Sequence, residues 1–243
     1  MKIRELVYLQ YIIKKAIAPM KDFIKERLQS LLENLDDLFQ DNELAYLSSH
    51  CKNELQIRDR IAWRLHQEIA PKYGDLYVVR REWAPEEKNK SRVDLAILEM
   101  KADKKSVQKV IAMIEFKAHA IARPEPAYYG LEFQNDVKKM RKFRSQGGIF
   151  ADADLYFIFL ENGQSNKADL YESVLGFSKY QTPNCKYCRD AQDEDYLHEI
   201  ESHWQEFKKR LPEAVIHAPK AIFVGEAFGY KQYVSPLLIG PLK

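Results

Sequence analysis

The sequence predicts an α/β protein in which a mixed central sheet is flanked by helices. Three observations predict it. Residues 53–70 carry Ile57, Ile61, Leu65 and Ile69 at helical spacing. Three strand-like runs then follow one another across short polar stretches. Finally, Leu155 to Leu160 (LYFIFL) is apolar throughout, as in a strand covered on both faces.

The elements are justified in chain order. Residues 1 to about 40 read as one long helix, since Ile13, Ile17, Met20, Ile24, Leu28 and Leu31 recur three or four apart. Pro19 is expected to kink it. Its apolar stripe needs a cover, which is either the chain's own core or a second copy of the chain. Asp41-Asn42-Glu43 reads as a break. The second helix runs from about Asn53 to Ala70, and Pro71 and Gly74 end it. Strands follow at Leu76–Trp83, Arg92–Glu99 and Gln108–Lys117, joined by polar turns as in an antiparallel meander. Pro124 and Pro126 mark a loop, and Gly130–Arg144 reads as a helix with Phe133, Val137 and Met140 inward. The apolar strand comes next. A polar loop with Cys185 and Cys188, a helix over Asp193–Leu211 and an edge strand at Ala221–Val224 complete the reading. The chain thus divides into a helical extension over residues 1–45, available for dimerisation, a core over 46–165 and a C-terminal addition over 166–243 whose role is open.

Composition bounds the class. The 243 residues are 46% hydrophobic and 30% charged, which suits a core of ordinary size. A formal net charge of +2 makes any basic surface a local one. Three cysteines are too few for a disulfide scaffold, and the N-terminal apolar run is broken by Lys14 and Lys15, so it spans no membrane. These features predict a cytoplasmic protein. The sequence has no GxSxG, no Walker loop and no HExxH, which speaks against a serine hydrolase, an NTPase or a zincin.

Charge inside apolar strands points to the chemistry. Asp94 stands between Val93 and Leu95, and Glu115 and Lys117 interrupt the end of another apolar strand. Residues two apart on a strand share a face, so Glu115 and Lys117 point the same way. Buried carboxylates are costly unless paired or bound to metal. Two acids can hold Mg²⁺, with Mn²⁺ as a substitute, and such an ion polarises a phosphate and acidifies a bound water. Lys117 can orient or deprotonate that water, or stabilise negative charge.

Asp94, twenty intervening residues and Glu115-Phe116-Lys117 resemble the PD-(D/E)xK nuclease superfamily, the restriction-endonuclease-like fold. The order helix, three strands, helix, strand also resembles that family's core, over roughly Asn53 to Glu161. Val93 stands where the family name has proline. The resemblance implies that Asp94 and Glu115 bind metal, that the Phe116 carbonyl is a further ligand, and that Lys117 is the catalytic lysine. It implies an Mg²⁺-dependent endodeoxyribonuclease of restriction or phage-defence type, acting on DNA, with RNA also open and a homodimer as the simplest way to cut both strands. The rival reading is a non-catalytic nucleic-acid-binding or protein-interaction module on the same fold. The family often adds an acid from the first core helix. Glu54 lies about 60° around the helix from Ile57 and Asp59 about 160°, which favours Glu54. Arg58 is in reach of Glu54.

Basic and aromatic groups surround these positions. Lys138, Lys139, Arg141, Lys142 and Arg144 form one helix face, which either meets phosphates or is simply solvated. Gln134, Lys138, Arg141 and Arg92 are the candidate nucleic-acid contacts, while Asp136 caps or pairs locally. Arg80, Arg81 and Trp83 either grip nucleic acid or guard a sheet edge. His119 reads as a structural histidine more readily than a catalytic one. Cys185 and Cys188 form half a zinc motif with no second half; Cys51, His198 and His203 are too loosely spaced to complete it.

Overall fold

The computed structural model describes residues 19–49, 53–85, 91–120, 126–164, 215–218, 220–227 and 230–242, together with positions 205 and 209. Helix α1 covers residues 19–33. It stops before residue 40 because the Asn34 side chain donates to the Ser30 carbonyl at 2.9 Å and the chain leaves through a 3₁₀ turn at Asp36–Leu38. The expected break is present, with Asp41 at φ 44, and a short helix that the periodicity did not reveal, α2 (Glu43–Ser49), follows it. Helix α3 (Glu54–Tyr73) runs through Pro71 rather than ending before it. A proline so close to the end removes one hydrogen bond only, and Gly74, at φ 103, closes the helix by donating to the Ala70 carbonyl at 2.9 Å.

Strands β1 (Tyr77–Trp83), β2 (Val93–Met100) and β3 (Val107–Ala120) form the expected antiparallel meander. Two register shifts, at Ile97/Leu98 and Glu99/Met100, put extra residues on β3 beside the hairpin. Helix α4 (Pro126–Ser145) starts four residues earlier than expected, because a proline fits the first turn of a helix, where its missing N–H has no partner to lose. It leads to β4 (Asp154–Gln164), parallel to β3. The chain then adds β5 (Ile216–His217), β6 (Ile222–Ala227) and β7 (Tyr230–Leu242). The sheet is seven-stranded and mostly antiparallel, in the order β1-β2-β3-β4-β7-β5, with β6 also on β7. Strands β5, β6 and β7 therefore extend the same sheet.

Strand β7 was not foreseen, because Pro236, Gly240 and Pro241 punctuate its run. The structure accommodates Pro236 at a particular spot. β6 pairs with β7 as far as Val234 and β5 begins at Leu238, so opposite Pro236 only β4 is registered. The β6 end is pinned to α2: the Asn42 side chain accepts the Glu226 N–H at 3.2 Å, and Gly225, at φ 112, passes directly against the Asn42 Oδ1.

Two apolar layers clasp the sheet. On one face α1 (Met20, Ile24, Leu28, Leu32) and α3 (Ile57, Ile61, Leu65, Ile69) meet Leu95, Ile97, Ile114, Phe116 and Ile158. The described part of the N-terminal stripe is thus covered by the chain's own core. On the other face α4 (Phe133, Val137, Met140, Phe143) meets Ala96, Leu98, Met113, Phe157 and Phe159. Among the described residues no helix is long and apolar enough to cross a membrane. Cys51, Cys185, Cys188, His198, His203 and the expected helix over Asp193–Leu211 lie outside the described residues, apart from positions 205 and 209, which are helical.

Candidate active site

Strand β3 outlasts its neighbour. The β2–β3 ladder reaches Leu95 opposite Ile114, and the next position outward on each strand is Asp94 and Glu115. Since β2 begins at Val93, the last residues of β3 have no β2 partner. Their main-chain groups still require hydrogen bonds. Alternate N–H groups of a strand point to one edge, and here two carboxylates take them up. Asp94 Oδ2 accepts from the Phe116 N–H at 2.8 Å, and Glu54 Oε2 accepts from the Ala118 N–H at 2.9 Å. Glu54 opens α3, and the first turn of that helix is fixed to the sheet by a reciprocal amide pair. Asn53 donates to Asn162 of β4 at 2.6 Å and accepts from it at 3.3 Å.

Glu115 and Lys117 alternate with Ile114 and Phe116, which belong to the α1/α3 layer, so both turn towards α4. Helix α4 answers with Asp136 and Lys139, three residues apart. Lys117 Nζ stands 3.2 Å from Asp136 Oδ2. Lys139 Nζ stands 3.3 Å from Asp136 Oδ1 and 2.7 Å from Glu115 Oε1, and it donates to the Arg92 carbonyl at 3.1 Å. Glu115 is only 3% exposed. Its Oε1 is charge-paired with Lys139, yet that contact is off the line a hydrogen bond needs, which leaves a buried oxygen without an aligned donor.

The charges feel one another. Burial, and then the Asp94 carboxylate, push Glu115 up to about 8, against the pull of Lys139. Burial raises Glu54 as well; the Ala118 N–H and Lys117 oppose that rise, while Asp94 adds to it. Burial draws Lys117 down, but Asp136, Glu54 and Glu115 outweigh it and hold the ammonium above the ordinary lysine value. Lys117 is therefore a cation at neutral pH. It can donate and stabilise charge there, but it is poorly suited to remove a proton.

The four positions expected to carry chemistry, Glu54, Asp94, Glu115 and Lys117, thus converge at the free end of β3. An N–H and C=O of one strand residue point to the same edge, so the Phe116 carbonyl opens towards Asp94, while its side chain is in the core. Asp59 is elsewhere: it pairs with Arg58 and Arg81. Arg58, 6% exposed, pairs with Asp59 and Glu82 rather than directly with Glu54. Gln134, Lys138, Arg141 and Arg92 are exposed, and among the described residues their side chains join no hydrogen bond or ion pair; Arg92 contributes only its carbonyl. Arg144 binds the Leu242 carbonyl at 2.8 Å and so ties α4 to β7. Trp83 packs against Phe150 at 6.0 Å between ring centroids. Strand β3 continues through His119, whose side chain lies outside the described residues. The site residues that sequence reasoning missed are Asp136 and Lys139. Asp136 does more than cap or pair locally within α4, since it reaches Lys117 of β3.

No protein-family model, curated protein or solved structure matches this chain.

The donor set is one of hard oxygens. Among the described residues no three His, Cys, Asp or Glu side chains are grouped to hold one ion. What the site offers is Asp94, Glu115 with its unaligned Oε1, and the Phe116 carbonyl. That set fits Mg²⁺, which commonly uses one or two carboxylates and keeps several waters.

Proposed function

We propose that this protein is a metal-dependent nuclease with a core of restriction-endonuclease type, hydrolysing phosphodiester bonds, with DNA as substrate. One observation carries the reading: two acids and a lysine from neighbouring strands, joined by an acid from α3, meet at the overhang of β3. Asp94, Glu115 and the Phe116 carbonyl would hold Mg²⁺ or Mn²⁺. When bound, that ion supplies Lewis acidity to the phosphate and lowers the pKa of a water.

The chain's own groups do the rest. Lys117, kept as an ammonium, donates to the phosphate and stabilises the negative charge that develops during attack. Glu54, raised by burial, would take the proton of the attacking water. Attack by the water oxygen forms one P–O bond and breaks the ester P–O bond, leaving a phosphate monoester and an alkoxide that takes a proton from solvent. Asp136 orients both lysines. The exposed cations Lys138, Arg141 and Arg92 are available for backbone phosphates.

The test is incubation with plasmid, single-stranded DNA and RNA in Mg²⁺ or Mn²⁺, beside Lys117→Ala. The expected result is cleavage by the wild type that the variant lacks. Absence of cleavage of all three, together with absence of Mn²⁺ binding by calorimetry, would overturn the proposal. A second reading, a non-catalytic binding module, is favoured by one observation: Lys139 already closes on Glu115, and no third metal-ligating side chain joins that pair among the described residues. Unchanged nucleic-acid affinity on adding Mn²⁺ would support it.

A further inference from the structure

Along its outer face, α3 carries a stripe at four-residue spacing, with Leu55 and Trp63 exposed and Asp59 half-buried between them. Trp63 is 57% exposed, although the opposite face of the same helix is buried. Its indole stands at the mouth of a cavity. The cavity is open, about 350 Å³, and is lined by Asp59, Ala62, Trp63, His66, Val79 and Arg81. Its size falls in the range of small-molecule sites. The wall is aromatic and apolar, with the Trp63 and His66 rings 5.8 Å apart, and the rim is charged. Arg81 directs one nitrogen to Asp59, and a guanidinium has five N–H donors in all. Arg64, exposed beside Trp63, has no acidic partner among the described residues.

We propose that this cleft between α3 and β1 stacks a nucleobase from an unpaired stretch of the substrate on Trp63. The inference rests on the nuclease reading for the identity of the ligand. A flat π-face, an acceptor and a donor on the rim, and a nearby cation match a base, its polar edge and its phosphate in turn. A protein side chain would need no such set. Trp63 is nine residues from Glu54, about 13 Å along the helix axis and half a turn around it, so the cleft is a second contact that a strand reaches by passing around α3. Stacking needs the base out of a duplex, so the preferred substrate has a single-stranded region.

Binding is measured with the full chain in EDTA, where nothing is cut, using a labelled oligothymidylate and a blunt duplex. The wild type should bind the single strand with quenching of tryptophan emission. Trp63→Leu should weaken binding about 5- to 150-fold, the range of one base–aromatic stack, and Trp63→Phe should restore most of it. Circular dichroism confirms that the variants fold. Equal affinity in Trp63→Leu, equal affinity for the blunt duplex, or no binding by the wild type would overturn the proposal. A Trp63-dependent change in sedimentation with DNA binding unaltered would instead assign the cleft to a second copy of the chain. Cleavage is scored separately in Mg²⁺. Cleavage with Trp63-independent binding removes this site alone, while Trp63-dependent binding with neither cleavage nor Mn²⁺ binding removes the nuclease reading alone.

Discussion

Lys139 on α4 places its ammonium 2.7 Å from Oε1 of Glu115 on β3, so that a buried carboxyl and a flexible cation face each other across the layer boundary. The same ammonium takes the Arg92 carbonyl and an Asp136 oxygen. All three of its neighbours are oxygens, which is also the environment a hard divalent ion selects. Lys139 thus stands beside Glu115 in the position that the proposed divalent ion would take.

The first prediction concerns pH. The folded protein holds the Glu115 proton up to about pH 8, against an ordinary value of 4.5. The native state therefore binds more protons than the unfolded state between those values, and stability falls as pH rises through that window. Glu115→Gln removes the titration. In chelator, the variant should match the wild type near pH 4 and exceed it by a few kcal/mol above pH 8, at ~1.4 kcal/mol per pKa unit. Urea melts across pH test this, and parallel stability profiles for the two proteins would refute it.

Asp136→Asn removes the charge that pins both lysines. Burial then dominates at Lys117 and its pKa drops. Activity that needs the ammonium is lost as pH rises through that pKa, so the alkaline limb of the pH–rate profile should move to lower pH. The rate at neutral pH should fall about 10- to 100-fold, as when a partner that orients a site is lost. An unshifted alkaline limb would show that Asp136 does not govern Lys117.

Glu54 has one observed contact, with the Ala118 N–H, and one proposed role, in proton transfer. Glu54→Ala orphans the Ala118 N–H and should cost about 1–3 kcal/mol of stability. Glu54→Gln retains a carbonyl acceptor and should keep the stability, while losing about 10²- to 10⁴-fold in rate if the carboxylate takes the water's proton. Denaturant melts and initial rates on both variants separate backbone support from proton transfer. Equal rates for wild type and Glu54→Gln would remove Glu54 from the chemistry.

Gly225 tests the fold rather than the site. A Cβ there would meet the Asn42 side chain at a backbone φ of 112. Gly225→Ala should cost about 1–2 kcal/mol for the conformation alone, and more from the clash. Adding Asn42→Ala should recover the clash portion. A thermal melt of the single variant at the wild-type midpoint would mean that α2 does not seat on β6 as described.

Legibility followed the physics of each segment. Asp94, Glu115 and Lys117 were readable because a charge inside an apolar strand is expensive, and alternation gives its face. Glu54 was separable from Asp59 by angle alone, since the apolar stripe of α3 is clean. Asp136 could have been found the same way: it follows Phe133 by three residues and so falls within about 60° of the inward face. Lys139 could not, because it sits at the border of that face and reaches Glu115 by the bend of a four-carbon stem. Strand β7 was hidden by its prolines. Pro236 reads as a strand breaker until one knows that a gap between β5 and β6 lies opposite it. Helix α2 is a single short stretch of seven residues, too brief for periodicity to register.

Each of the two extra residues that β3 carries near the hairpin reverses the in–out alternation of that strand, and the two reversals cancel. With both in place, Glu115 and Lys117 emerge towards α4 rather than into the aliphatic layer beneath α3. The polar tip at Lys101–Ser106 can therefore grow or shrink without consequence for the site. A one-residue deletion within β3 between Val107 and Ile114 would invert the orientation of every side chain beyond it, carrying the acid and the amine to the wrong side of the sheet in a single step.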